Sequence, residues 1–307
     1  MIKLSKYLII LALAVTSCSA LRTKRKAVFS WGQQLEELAN GPWEKVIHPG
    51  EASRIQIPLG AKVKVTDFNC RDKSLPWVIE AGLFTAFVAE SYFSDLSSFS
   101  CKLEVKKEDK GASNNFVIQI DYAVQSRKYK SETLLVDSGK VHYGAKEAKR
   151  IEAEQKILTE IYQESSPMPY FHEGFGYPME AARTSEYGTQ RIFNDVKKSQ
   201  HLGIDFKAKE GTPIMATNSG KVVLARELFF TGDTIIIDHG LGVFSMYGHL
   251  SKIHVHEGQL LTKASLIGLS GVSGRVTGPH LHFGVKIHGF WIDGDTLIQE
   301  TFANEKL

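Results

Sequence analysis

The sequence is poor in cysteine and in charge of one sign, and each shortage excludes a class of protein. Three cysteines among 307 residues are too few for a disulfide-rich scaffold. The formal net charge is only +3, and the lysines and arginines are scattered, unlike the basic stretches of nucleic-acid-binding proteins. The hydrophobic share of 43% is ordinary and allows a sizeable core. We therefore expect a globular protein of about two domains, without a nucleic-acid partner.

Long hydrophobic runs are also lacking, and the most apolar segment lies close to the first residue. Tyr7–Val15 is shorter than the roughly 20 apolar residues that a membrane-spanning helix needs. It follows the positive residues Lys3 and Lys6, as the apolar part of a secretory signal does. This order of charged and apolar residues predicts an exported protein.

The segment Val15–Cys18 ends in two small residues and a cysteine, and it resembles the lipobox of bacterial lipoproteins. That resemblance implies a signal peptide over residues 1–18 and a lipid-modified Cys18 that anchors the mature chain to a membrane. The alternative is a plain secretory signal with a chance cysteine. Ser19 is not the aspartate that retains some lipoproteins in the inner membrane, so we expect the periplasmic face of the outer membrane.

The two remaining cysteines, Cys70 and Cys101, lie in the same predicted domain. An even number of cysteines in an oxidising compartment favours a disulfide. We therefore predict a Cys70–Cys101 bridge, with two buried free thiols as the alternative.

Hydrophobic periodicity predicts a mostly β protein with two parts. Residues 19–47 are expected to form a tether with a short helix, and residues 48–142 alternate polar and apolar positions as antiparallel strands do. We predict a small β-sandwich there, with a binding, spacing or gating role. Residues 143–168 predict a connecting helix and linker, and residues 169–307 return to short strands separated by glycine turns.

The pair His280 and His282 carries the first chemical signal. Both lie in an apolar stretch of strand character, where residues two apart point to the same face. This geometry suits one metal ligand beside one catalytic base, although such pairs are often surface or packing residues. His254 and His256 have the same spacing but polar neighbours, so we expect no metal role for them.

A second signal is His201 with Asp205, four residues apart around Gly203. Catalytic zinc sites use three protein ligands and leave one position open for water. His201, Asp205 and one histidine of the His280/His282 pair complete such a set, and the residues alone do not decide which histidine that is. His249 follows another predicted strand and supplies a further group able to handle protons.

With these motifs in place, residues 183–295 resemble the lysostaphin-like (LytM-type) zinc peptidoglycan endopeptidases. The matching stretches follow in the order and spacing of that family: His201-x-Gly203-x-Asp205, Gly211-Thr212-Pro213, Tyr247-x-His249-Leu250, Gly268-x-Ser270-Gly271 and Thr277-Gly278-Pro279-His280-Leu281-His282-Phe283. The resemblance implies an antiparallel β catalytic domain of the duplicated hybrid motif type.

The resemblance also implies a role for each matching residue. One zinc ion per chain is bound by His201, Asp205 and His282, and His249 and His280 handle protons and stabilise the tetrahedral intermediate. The implied substrates are the peptide stems of peptidoglycan. The turns at residues 226–232 and 271–277 are expected to wall the substrate groove.

Other polar residues receive weaker predictions. His239 is predicted to stabilise a turn, and His172 and His288 to be surface or packing residues. Aspartates near the motifs are candidates to hydrogen-bond the ligating imidazoles. They are Asp233, Asp238, Asp293 and Asp295.

The sequence thus predicts a lipid-anchored zinc endopeptidase that cuts peptide cross-links of the cell wall. One alternative is a non-catalytic regulator of cell-wall amidases, whose relatives typically lack zinc ligands. The others are a zinc peptidase acting on extracellular protein and a purely structural lipoprotein. A covering role of the N-terminal β domain over the groove is a further hypothesis.

Overall fold

The structure is a computed structural model that describes residues 34–60, 62–109, 112–134, 144–193 and 197–302. The predicted signal peptide and Cys18 lie outside these residues. Within the described ranges, no helix is both long and apolar enough to span a membrane. The fold is mostly β, which confirms the predicted class.

The N-terminal part holds one helix and a series of strands in the described ranges. They are α1 (Gln34–Ala39), β1 (Trp43–Ile47), β2 (Ala52–Pro58), β3 (Val63–Cys70), β4 (Lys73–Ser74), β5 (Trp77–Glu80), β6 (Leu83–Ala89), β7 (Phe99–Asp109), β8 (Ala112–Val124) and β9 (Ser131–Leu134).

Two sheets of this part form the sandwich. One sheet has the order β1-β8-β7-β3-β4 and the other β2-β6-β5. Their alternating apolar residues share one core, in which the rings of Phe68 and Phe84 meet edge to face with centroids 5.3 Å apart. Leu103 and Ile118 complete it from β7 and β8, because they point inward while their sequence neighbours face out.

A disulfide joins Cys70 and Cys101, as predicted. The two residues are directly opposite each other in the antiparallel pair of β3 and β7, with Cα atoms 4.1 Å apart. Antiparallel pairing brings facing side chains close, so both sulfurs reach each other from the sheet interior. The bond therefore links two neighbouring strands of the sandwich.

We expect the double variant Cys70→Ser, Cys101→Ser to lose about 3 to 4 kcal/mol of unfolding free energy. The bridge closes a loop with a sequence separation of 31, and its removal restores that conformational freedom to the unfolded chain. Urea titration of the mature protein, with and without reductant, measures the change. An unfolding midpoint that changes neither with the substitution nor with the reductant would contradict the prediction.

Two strands pair with strands on the other side of a predicted domain boundary. β1 lies in the segment predicted as tether, yet it pairs in parallel with β8. β9, assigned to the sandwich, pairs in parallel with β11 (Gln190–Phe193), well beyond the connecting helix. Both pairings join segments that are distant in sequence, which local periodicity does not report.

The connecting helix is α2 (Ala145–Gln163), close to the predicted span. Its apolar residues Leu158, Ile161 and Tyr162 pack on the C-terminal sheet. Glu154 accepts a hydrogen bond from the Phe229 amide at 2.8 Å. The helix therefore covers part of the sheet as well as linking the two parts.

The C-terminal part contains twelve further strands and a last helix within the described ranges. Besides β11 they are β10 (Arg183–Ser185), β12 (Lys197–Gln200), β13 (Ile204–Lys207), β14 (Pro213–Met215), β15 (Gly220–Leu228), β16 (Gly232–Gly240), β17 (Val243–Ile253), β18 (Leu260–Leu261), β19 (Leu266–Ser270), β20 (His280–Ile287), β21 (Phe290–Ile292) and α3 (Gly294–Phe302).

Most of these strands form one antiparallel sheet whose central path is β10-β13-β20-β17-β16-β15-β18. In β20 the residues Leu281, Phe283 and Val285 are buried in the hydrophobic core. The alternation of a strand then places His280 and His282 together on the opposite face. The core on one face of the sheet thus positions the polar site on the other.

Candidate metal centre and paired histidines

The site begins with the pairing of two neighbouring strands. β13 and β20 are antiparallel, and their register sets Asp205 opposite His282. Ile204 and Phe206 point into the core on either side of Asp205, so its carboxylate turns to the same face as the histidines. His201 precedes β13 and reaches the same point from the chain turn around Gly203.

Three atoms converge there at nearly equal distances. His201 Nε2 lies 2.9 Å from Asp205 Oδ1 and 3.0 Å from His282 Nδ1, and His282 Nδ1 lies 2.8 Å from Asp205 Oδ1. Ligand atoms on a tetrahedral zinc at the usual bond lengths would lie roughly 3.4 Å apart. The triangle is slightly tighter than that, and two imidazoles with one carboxylate match the donor set of catalytic zinc.

The Asp205 carboxylate is strongly influenced by its neighbours. Burial raises its pKa, but the interactions with the neighbouring imidazoles of His201 and His282 outweigh that effect, so the pKa falls well below the usual range of an aspartate. Burial also lowers the pKa of His282. At neutral pH the group therefore offers an ionised carboxylate and a neutral His282 imidazole, the forms that bind metal.

The hydrogen bond of the other ring nitrogen settles the tautomer of His201. Nδ1 lies 3.1 Å from the carbonyl oxygen of Glu186 and 3.2 Å from the Ser185 hydroxyl, which can accept as well as donate. Because a carbonyl only accepts, Nδ1 carries the hydrogen and donates it, and Nε2 keeps its lone pair toward Asp205 and His282. His201 is 6% exposed, so the surrounding protein also restricts the orientation of its ring.

Gly203 leaves the room that His282 occupies. A Cβ atom at residue 203 would lie 2.5 Å from Cε1 and 2.7 Å from Nε2 of His282. Any side chain there would displace the ring. The glycine inside the His201–Asp205 motif is thus a steric requirement of the site.

His249 stands beside the triangle in an unusual backbone conformation. Its φ is +62°, in the left-handed region that non-glycine residues rarely adopt. The carbonyl of Thr231 accepts a hydrogen bond from its amide at 2.6 Å, and the Ser273 carbonyl accepts one from its Nδ1 at 2.9 Å. Nε2 therefore keeps its lone pair, and burial lowers the pKa of His249 to about 4.

His280 is held in the same way. Its Nδ1 donates to the Gly278 carbonyl at 2.9 Å, and its Nε2 lies 3.8 Å from Asp205 Oδ1. The ring centroids of His249 and His280 are 4.8 Å apart. Two imidazoles with bare Nε2 atoms thus border the triangle of possible ligands.

The two turns predicted to wall a groove contact each other near His249. The Phe230 carbonyl accepts a hydrogen bond from the Arg275 amide, and Ser273 Oγ accepts one from the Asp233 amide, both at 2.9 Å. A Cβ at Gly232 would lie 2.3 Å from the Ser273 carbonyl carbon. The turns therefore support each other and carry the two carbonyls that hold His249.

The predicted structural histidines lie apart from this group. His239 is fully buried, where its Nδ1 donates to the Ser219 carbonyl and its Nε2 lies 2.7 Å from Ser245 Oγ. His288 donates to the Phe87 carbonyl. His254 and His256 are exposed.

The partners of the site imidazoles differ from the predicted aspartates. The carbonyls of Glu186, Ser273 and Gly278 hold His201, His249 and His280. Instead, Asp238 receives hydrogen bonds from Ser165 and Ser166, while Asp293 and Asp295 pair with Arg127 and Arg183. Every residue carries a carbonyl, so no sequence signal marks these acceptors.

Comparisons with known proteins agree with this geometry. Residues 199–294 match peptidase family M23. The sequence is 39% identical over 107 residues to the peptidoglycan DD-endopeptidase ShyA of Vibrio cholerae serotype O1, a match covering 34% of this chain and 25% of ShyA. It is 38% identical over 89 residues to the DD-carboxypeptidase/endopeptidase Mpg of Neisseria meningitidis serogroup B, covering 29% of this chain and 20% of Mpg. The matches thus span a quarter or less of these relatives.

A solved structure is similar over most of the chain. The crystal structure of a putative peptidase M23 from Pseudomonas aeruginosa superposes with a TM-score of 0.58 and 26% identity, covering 87% of this chain and 99% of that one. Because it covers 87% of this chain, the likeness extends well beyond residues 199–294, which the family match covers. Residues 199–294 of this chain are therefore a domain of peptidase family M23.

Proposed function

We propose that this protein is a zinc-dependent endopeptidase that hydrolyses peptide cross-links of bacterial peptidoglycan. The observation that carries the proposal is the triangle of His201, Asp205 and His282 with the bare Nε2 atoms of His249 and His280 beside it. The names of ShyA and Mpg support the substrate class. Without those relatives, the geometry alone would indicate a metallopeptidase.

In this proposal His201, Asp205 and His282 hold one zinc ion per chain. When bound, zinc supplies Lewis-acid chemistry: it lowers the pKa of a water molecule and polarises a peptide carbonyl. The carbonyl of Glu186 orients the His201 ring, and Gly203 leaves space for the ring of His282. These residues thus supply two neutral imidazoles and one carboxylate in a fixed arrangement.

His249 and His280 act on protons. Because both Nδ1 atoms donate to backbone carbonyls, each ring accepts or releases a proton only at Nε2. One ring accepts a proton from the attacking water and passes it to the leaving amine. The other, when protonated at Nε2, donates a hydrogen bond to the oxyanion that develops on the scissile carbonyl.

The proposed location is the cell envelope, where the substrate lies. The lipobox-like segment supports a lipid on Cys18, and Ser19 after it supports the periplasmic face of the outer membrane. Each buried methylene adds about 0.8 kcal/mol to the free energy of membrane binding, and a single acyl chain binds only marginally. Stable anchoring of a lipid-modified cysteine therefore needs several acyl chains. Mass spectrometry of the membrane-extracted protein, with Cys18→Ala as the control, tests this part.

Digestion of purified sacculi by the zinc-loaded protein tests the activity. Mass spectrometry of the released fragments is expected to show loss of cross-linked peptides with intact glycan strands. His282→Ala should release none, while His256→Ala, which changes an exposed histidine of the same spacing, should match the wild type. Equal release by His282→Ala would refute the proposal.

Two other outcomes favour the alternatives. Intact sacculi despite bound zinc, together with faster digestion when an amidase is added, would indicate a regulator of amidases. Cleavage of casein without cleavage of sacculi would indicate a peptidase of extracellular protein. The three candidate activities therefore give different fragment patterns.

A further inference from the structure

The backbone of His201 is tied to the preceding turn at residues 186–189. Its amide donates to the Thr189 carbonyl at 2.9 Å, and its carbonyl accepts from the Gly188 amide at 2.7 Å. The Glu186 carbonyl, which accepts from His201 Nδ1, also accepts from the Thr189 hydroxyl at 2.8 Å. This turn therefore holds the backbone of His201 and, together with Ser185 Oγ at 3.2 Å from Nδ1, fixes the rotation of its ring.

Aromatic rings from the N-terminal part cover the other side of this turn. The Tyr92 hydroxyl donates to the Gly188 carbonyl at 3.2 Å. The Tyr129 ring lies so close that a Cβ at Gly188 would be 2.0 Å from its Cδ1 atom. Gly188 has a φ of +79°, so the turn needs glycine for its backbone shape as well as for this contact.

These two rings form a cluster with Tyr187, which belongs to the turn. The centroids of Tyr92 and Tyr129 are 4.8 Å apart, and both lie about 6 Å from that of Tyr187. Tyr187 is 4% exposed. Its hydroxyl donates to the Trp291 carbonyl at 2.7 Å, which ties the cluster to β21.

The tyrosine cluster is also fixed to the N-terminal part. The Tyr129 hydroxyl donates to the Pro49 carbonyl. Nearby, Arg127 pairs with Asp293 at 3.0 Å, and the Asp293 side chain is 8% exposed. β9 extends the contact, because it pairs along β11 directly after the turn. The cluster thus lies in a continuous interface between the two parts of the chain.

We infer that Tyr92 and Tyr129 are positioning residues of the metal site: they hold the turn at residues 186–189, and the turn holds His201 in its ligating orientation. The inference rests on the proposed function, in which His201 binds zinc. It assigns the N-terminal part a role in forming the metal site. A covering role over the groove would instead make its contacts inhibitory.

The physical reason is the sensitivity of a metal site to the partners of its ligands. Loss of a group that orients a ligating histidine typically weakens metal binding about 10- to 100-fold. Without the rings, the turn would lose its packing on one side, and its conformational freedom would have to be lost again on zinc binding. Zinc affinity should therefore depend on the packing of the tyrosine cluster, although the cluster touches no ligand.

Zinc affinity of the full mature chain, measured by competition with a fluorescent chelator, tests the inference. Tyr129→Ala is expected to weaken zinc binding about tenfold or more. Tyr129→Phe keeps the ring and should restore most of the affinity. Tyr92→Phe removes the bond to Gly188 and a longer bond from Gln190 Nε2 at 3.4 Å, and it should weaken binding between about twofold and tenfold.

Tyr122→Phe is the matched control. It removes a buried hydroxyl whose 3.1 Å bond to Ser53 Oγ lies in the sandwich. Its stability cost should resemble that of Tyr92→Phe, yet its zinc affinity should equal that of the wild type. The visible spectrum of the cobalt-substituted protein gives a second readout, which is expected to change in Tyr92→Phe and not in Tyr122→Phe.

Wild-type affinity and an unchanged cobalt spectrum in folded Tyr129→Ala would overturn the inference. If that variant does not fold, the same result in Tyr92→Phe overturns it. An equal loss of affinity in Tyr122→Phe would also overturn it, since general destabilisation would then explain the effect. A wild-type chain that binds no zinc would instead refute the proposed function itself.

Discussion

Zinc binding is expected to disappear in His282→Ala, and the rate of cross-link hydrolysis to fall by more than about a hundredfold. Even an outer hydrogen-bond partner of a ligand is worth about 10- to 100-fold in affinity or activity, so a ligand should be worth more. His282 Nδ1 also lies 2.8 Å from Asp205 Oδ1, so its loss leaves a buried carboxylate with one imidazole partner fewer. Metal content after dialysis and the initial rate on sacculi measure both effects.

His256→Ala is the control for this change. It belongs to a pair with the same spacing, His254 and His256, but both residues are exposed. We expect unchanged zinc content and rate, because an exposed histidine without a converging carboxylate does not form a site. One equivalent of tightly bound zinc in His282→Ala would contradict the assignment of this ligand.

His249→Asn is expected to lower kcat by about 10²- to 10⁴-fold, the usual contribution of a positioned acid or base. Asparagine is chosen because it tolerates positive φ, which residue 249 requires at +62°. The variant removes the Nε2 lone pair beside the metal site while leaving the three ligands intact. Single-turnover rates on a cross-linked peptide, at saturating zinc, isolate the chemical step.

The zinc content of His249→Asn separates catalysis from metal binding. We expect one equivalent of zinc, since the His249 ring faces the ligands without belonging to the triangle. His254→Asn, an exposed substitution just beyond β17, should keep the wild-type kcat. A normal kcat in His249→Asn would remove this residue from the proposed mechanism, and loss of zinc would make it a ligand.

The strands and the helix α2 were predictable because their signals are local. Alternation in β8 and β20 reports which residues face a core, and the Ala- and Glu-rich segment before Pro167 reports a helix. The pairing of β1 with β8, and of β9 with β11, was not predictable. Each joins segments separated by many residues, and nothing in either segment alone names its partner.

The metal site shows the same difference between features with a local sequence signal and features that depend on tertiary packing. The residue types at 201, 205 and 249, and the histidine pair at 280 and 282, predicted zinc chemistry. The carbonyls of Glu186 and Ser273, which orient two of these rings, were not predicted, because a carbonyl belongs to every residue. The contact of Tyr92 and Tyr129 with the turn before His201 was equally hidden, since it depends on how two parts of the chain pack.

The sequence by itself determined the chemical groups, the strands that carry them and the disulfide partners. Strand periodicity left His280 and His282 equivalent, because residues two apart share one face. The tertiary structure separated them: the register of β13 with β20 sets His282 opposite Asp205 and His280 opposite Lys207. Register is a property of two strands together, so only the folded sheet decides which imidazole meets the carboxylate.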